Sequence, residues 1–71
     1  MDVVTAVVIA GIQTQRAKLK RVAKRYGRLS ANAFKRGDYE KFLIHGAKAA
    51  AALTADHILA QQQENLRRQS R

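Results

Sequence analysis

The chain has no cysteine, no proline and no tryptophan, and its 71 residues include only four glycines, two Phe and two Tyr. Without cysteine there is no disulfide framework and no thiolate metal site. Without proline nothing breaks a long helix from within. Acid is also scarce: five Asp and Glu stand against fourteen Lys and Arg, a net charge of +9, and no acid occurs from Val3 to Gly37. A long apolar run is missing too. The uncharged stretch from Val3 to Ile12 is about half the length of a bilayer-spanning helix. An acidic residue precedes it and basic residues follow, the reverse of a signal peptide. With neither a signal peptide nor a transmembrane span, the expected setting is intracellular or inside a virus particle.

What remains is a chain rich in Ala, Lys, Arg, Gln and Leu, all strong helix formers. The expected fold is all-α: an antiparallel helical hairpin with an apolar N-terminal helical extension, in one small domain over residues 1–71. Within it, 1–12 is an apolar docking segment, read as helix with a short strand as the alternative, 13–36 a basic helix and 39–68 a second helix. The apolar fraction of 46% overstates the core, because thirteen of those residues are alanines and seven of the twenty larger ones lie in the first twelve positions. So thin a core calls for a partner surface.

The stretch "FKRGDYEKF" carries the turn. Lys35 and Arg36 suit a helix C-terminus. Gly37 suits the left-handed position just past it, and Asp38 the N-cap of the next helix. One glycine does not make a phosphate loop, so the turn is structural. Leu19, Val22, Ala23, Tyr26, Leu29 and Ala33 form an apolar stripe on the first helix. Phe42, Gly46, Ala49 and Leu53 form one on the second, with Leu43, Ala47 and Ala50 beside it. Gly46 and Ala50 are small enough to admit a close helix, and Gly27 either marks such a contact or is tolerated. Folding back at Gly37 and Asp38 brings together residues whose numbers sum to about 75. Tyr26 then faces Ala49, Val22 faces Leu53 and Leu29 faces Gly46, large against small. Further out, Ile12 faces Gln63 and Val8 faces Arg67. The apolar segment therefore lacks an apolar partner on its own chain, and Val3, Val4, Val7, Val8, Ile9 and Ile12 are candidate partner-docking residues.

Nine of the fourteen cations fall between Arg16 and Arg36. Charge so one-sided attracts polyanions, and Arg16, Lys18, Lys20, Arg21, Lys24, Arg25, Arg28, Lys35 and Arg36 are the candidate polyanion-binding residues. Tyr26, Phe34, Tyr39 and Phe42 lie near the turn among basic residues. Such aromatics can stack bases, but packing of the bend accounts for them better. Phosphates are then the target, without sequence reading.

Chemistry is harder to find. His45 and His57 each lack a second ligand at helical spacing, so no metal site is expected. Asp56 and His57 are neighbours that point about 100° apart on a helix, so they form no dyad. Ser30 and Ser70 have no base at helical spacing, and a hairpin offers little room for a pocket. No enzymatic activity, cofactor or small-molecule substrate is expected.

Tyr26, Leu29, Ser30, Gly37, Tyr39 and Ala49 match the spacing of a tetratricopeptide repeat, a helical hairpin of about 34 residues. The run "RLSANAFKRGDYEKFLIHGAKAAAAL" also resembles the helical hairpin of microtubule-interacting-and-transport domains. The resemblance covers Tyr26 to Leu53 and implies a packed hairpin with a protein-binding role. Phe42, Gly46 and Thr54 depart from the repeat's pattern, and no second copy is present.

Together these features point to a small basic structural protein of a larger assembly. It docks on other protein chains, or on copies of itself, by its apolar N-terminus and meets nucleic acid or another polyanion non-specifically; a minor virus or phage particle protein has such a length and charge. The alternatives are a protein-interaction adaptor of the tetratricopeptide-like hairpin type and a peripheral protein on an anionic membrane surface.

Overall fold

A computed structural model describes residues 2–69; Met1, Ser70 and Arg71, and with them the remark on Ser70, lie outside it. Two helices, α1 (Val3–Lys35) and α2 (Tyr39–Gln69), make an antiparallel hairpin. An α-helix of 33 residues is about 50 Å long, and the whole molecule measures 52 × 15 × 11 Å. The two helices thus lie side by side along their full length.

The apolar stretch and the basic stretch are one uninterrupted helix. Valines lower helix propensity, but two effects offset this at the start of α1. The Asp2 side chain accepts a hydrogen bond from the Thr5 N–H at 2.7 Å, capping the first turn. That bond holds the Asp2 carboxyl below its ordinary pKa. Ile9, meanwhile, is buried against α2.

The turn forms as its residues predict. Gly37 has a φ of 76°. The Asp38 N–H donates to the Ala33 carbonyl at 2.9 Å and the Gly37 N–H to the Phe34 carbonyl at 3.0 Å. These two bonds are the pair that closes a helix through a left-handed residue. The Asp38 carboxylate then caps α2 by accepting from the Lys41 N–H at 3.3 Å. A Cβ at Gly37 would meet no atom, so Gly37→Ala tests backbone strain alone. It should cost about 1–2 kcal/mol and lower the melting temperature by about 5–10 °C. An unchanged melting temperature would show that the turn can rearrange.

The seam between the helices has a strict rhythm. On α1 the covered positions run Thr5, Ile9, Ile12, Arg16, Leu19, Ala23, Tyr26, Ser30 and Ala33, alternating in steps of four and three, with Val22 half-buried beside them. On α2 they run Phe42, His45, Ala49, Ala52, Asp56, Leu59, Gln63 and Leu66, alternating in steps of three and four, with Gly46, Ala55 and Ala60 half-buried beside them. This is the spacing of a coiled-coil seam. It is lined largely by small or polar side chains: Ala33 is wholly buried, Ile9, Ala23, Ala52, Ser30 and Gln63 nearly so, and among the described residues no large side chain is completely buried.

That rhythm corrects the sequence-based stripes. Leu29 is not on the seam but exposed, and Ser30 takes its place, donating to the Phe42 carbonyl at 2.8 Å. Leu43 and Leu53 are exposed as well, while Ala52 and Leu59 face α1. Gly46 does mark a close approach: a Cβ there would sit 3.2 Å from Ser30 Oγ. Ala50 does not, because it is exposed. Gly27 faces open space and is simply tolerated.

The N-terminal segment has more of a partner on its own chain than the apolar count implied. Ile9 is buried and Ile12 half-buried, and Ile12 and Val8 line an open groove with the half-buried Leu66. Gln63, opposite Ile12, is covered because its amide is used by Arg16. Val3, Val4, Val7 and Val8 remain exposed, at 78%, 73%, 65% and 44%.

Candidate polyanion interface

The seam positions of α1 determine which way every other side chain points. Residues halfway round the helix from them are Lys18, Arg21, Arg25, Arg28 and Lys35, in steps of three, four, three and seven. They form one stripe on the outward face, about 25 Å long at the helical rise. Lys24 flanks the stripe, and Arg36 extends it at the C-cap. Lys18, Lys20, Arg21, Lys24, Arg25, Arg28, Lys35 and Arg36 are all exposed. Among the described residues, the ion pairs are Arg16–Asp56, Lys41–Asp38 and Arg68–Glu64. The outward cations of α1 therefore have no acid within reach.

Arg16 is placed differently from the other predicted cations. It sits on the seam, where its Nε donates to Asp56 Oδ1 at 2.9 Å and its Nη1 donates to Gln63 Oε1 at 3.0 Å. Its charge is spent within the hairpin. Lys20 stands on the flank rather than the outward face, beside an open groove lined also by Arg16, Gln13, Gln63 and Arg67. Arg67 was not among the predicted cations. It lines the same groove as Lys20 because the hairpin lays the end of α2 alongside the first half of α1.

The aromatics serve the bend and the seam. Phe34 packs on Tyr39 with ring centres 5.8 Å apart and on Phe42 at 5.1 Å. Tyr26 is separate from this cluster. It stacks on His45 at 5.7 Å, and Lys48 Nζ lies 5.2 Å from its ring centre. His45 is half-buried with its Nδ1 unpartnered, and no side chain here accounts for that. His57 is exposed and shares a 3.3 Å hydrogen bond with Gln61. Among the described residues no three metal-ligating side chains gather, and no helix is long and apolar enough to cross a membrane.

No protein-family model matches this chain, and no curated protein or solved structure matches it significantly.

Proposed function

We propose that this chain is a small, basic, non-enzymatic component of a larger assembly, one that holds nucleic acid or a comparable polyanion through the outward face of α1. One observation carries the reading: a row of exposed, unpaired cations on one side of a rigid helix. Ordinary soluble helices intersperse both signs. Lys and Arg in a row match phosphates, which carry no sequence information, while Phe34 and Tyr39, 54% and 60% exposed at the bend, pack on each other. Val3, Val4, Val7 and Val8 form the exposed apolar patch that docks on a neighbouring chain.

The test is a salt titration of binding to mixed-sequence duplex DNA and to single-stranded RNA. With eight exposed cations on or beside one face, of which some four to six reach phosphates, the log–log slope on duplex DNA should be about −4 to −5. Sequence should matter little. Absence of binding at low salt, or binding that ignores salt, would overturn the reading.

One geometric fact favours a second reading. Val3 and Val7 share the outward side of α1 with Arg21 and Arg25, so a flat anionic membrane could meet valines and cations together. The same titration run with anionic and neutral vesicles separates the two: flotation with anionic lipid and no affinity for nucleic acid would favour the membrane.

A further inference from the structure

The outward face of α2 has the opposite character to that of α1. Between Glu40 and Glu64 the charged residues of α2 are Lys41, Lys48 and Asp56. Lys41 pairs with Asp38 at the turn, at 3.9 Å. Lys48 reaches over the Tyr26 ring, and Asp56 holds Arg16. Lys48 and Asp56 are thereby committed to the side that meets α1. What faces away is uncharged, and its large members are bare: Leu43 is 66% exposed, Ile44 46% and Ile58 50%, with Leu53 on the flank at 57%. Large apolar side chains left bare together on one helix face are ones that a partner normally covers.

We propose that a second copy of this chain covers this face, the two α2 helices lying antiparallel about a two-fold axis that passes between Ala50 and Ala51. The first argument is spacing. A two-fold interface requires that if residue i meets j, then j meets i. Leu43, Ala47, Ala50, Ala51, Thr54 and Ile58 share the outward face and are placed symmetrically about that axis. Leu43 meets the partner's Ile58, Ala47 meets the partner's Thr54, and the alanines meet at the centre. Small residues in the middle allow the helix axes to approach to about 8 Å, and the large residues close both ends.

The second argument is charge. A +9 chain repels its own copies wherever cations meet cations. Contact through α1 brings the cationic rows together. Contact through the outward face of α2 opposes uncharged surfaces and leaves the two cationic faces on opposite sides of a four-helix layer. The dimer stands independently of the polyanion reading and is tested without nucleic acid.

The test is the native mass of the nucleic-acid-free protein at about 50 µM in high salt, which should be twice the 7.9 kDa of the chain. Ala51→Glu puts a like charge beside the axis and should weaken association by about a hundredfold or more, giving a monomer with unchanged helical circular dichroism. In a chain that lacks cysteine, Ala50→Cys should give a disulfide-linked dimer under mild oxidation, whereas Ala31→Cys, exposed on α1, should not. A monomeric mass for the unmodified protein, a dimer that survives Ala51→Glu, or cross-linking through Ala31→Cys in preference to Ala50→Cys would each overturn the proposal.

Discussion

Replacing Lys20, Arg21, Lys24 and Arg25 together with glutamine is expected to lower affinity for duplex DNA about a hundredfold at low salt. Each phosphate contact releases condensed counterions and contributes about −0.9 to the slope of log K against log salt. Arg21 and Arg25 lie in the outward row, Lys24 flanks it and Lys20 borders the groove beside it. If all four reach phosphates, their loss should flatten the slope by about 3 to 4. Folding should be little affected, since exposed substitutions away from packed features usually change stability by less than about 0.5 kcal/mol. Neutralising Lys41 and Arg68, which already face Asp38 and Glu64 at 3.9 and 3.2 Å, is the control and should move the slope far less per charge removed. Equal losses per charge from both sets would mean that net charge matters and the α1 face does not. An unchanged slope in the quadruple variant would remove the nucleic-acid part of the proposal altogether.

The second large effect concerns the seam. Asp56→Ala should destabilise the hairpin by about 2 kcal/mol, because it leaves the partly covered Arg16 guanidinium with only the Gln63 oxygen for a partner. For a domain this small that is a fall of about 10 °C in melting temperature. The pair is not needed for stability as such. Replacing both members by apolar residues of similar volume, Arg16→Met with Asp56→Leu, should recover most of the loss, since an ion pair taken out of water gains little over good apolar packing. On this expectation the pair supplies register rather than net stability. Polar residues at single seam positions specify alignment between helices at some cost in stability. A thermal melt of the three proteins checks this. If Asp56→Ala melts within a degree or two of the parent, the network contributes nothing and the alanine-lined seam alone sets the alignment.

Local chemistry was legible along the chain. The turn at Gly37 and Asp38 and the helical character throughout follow from short-range steric and hydrogen-bonding preferences that each residue expresses alone. The pairing rule also followed, because a tight turn at a known position leaves an antiparallel partner little freedom. Ser30 with Gly46, Arg16 with Asp56 and Tyr26 with Lys48 all lie within about four of the sum of 75. The seam itself was harder to read, since hydrophobicity was the guide and this seam is not uniformly hydrophobic. Leu29, Leu43 and Leu53 drew the stripes toward themselves, while Ser30, His45, Asp56 and Gln63 hold seam positions. Alternating steps of three and four, carried straight through the polar residues, would have found them.

The sequence by itself determined that this is a two-helix chain bent at one point, with its cations concentrated in the first helix. Helix propensity, caps and charge are local or additive properties. Only the tertiary structure decided which of those residues share a face. It withdrew Arg16 and Ile9 into the hairpin and set Arg67 and Lys20 on one groove. It also turned Leu43, Ile44 and Ile58 outward. The reason is that a helix rotates by about 100° per residue. A choice of seam one residue to the side therefore re-aims every side chain, and that choice belongs to the packing of the two helices together.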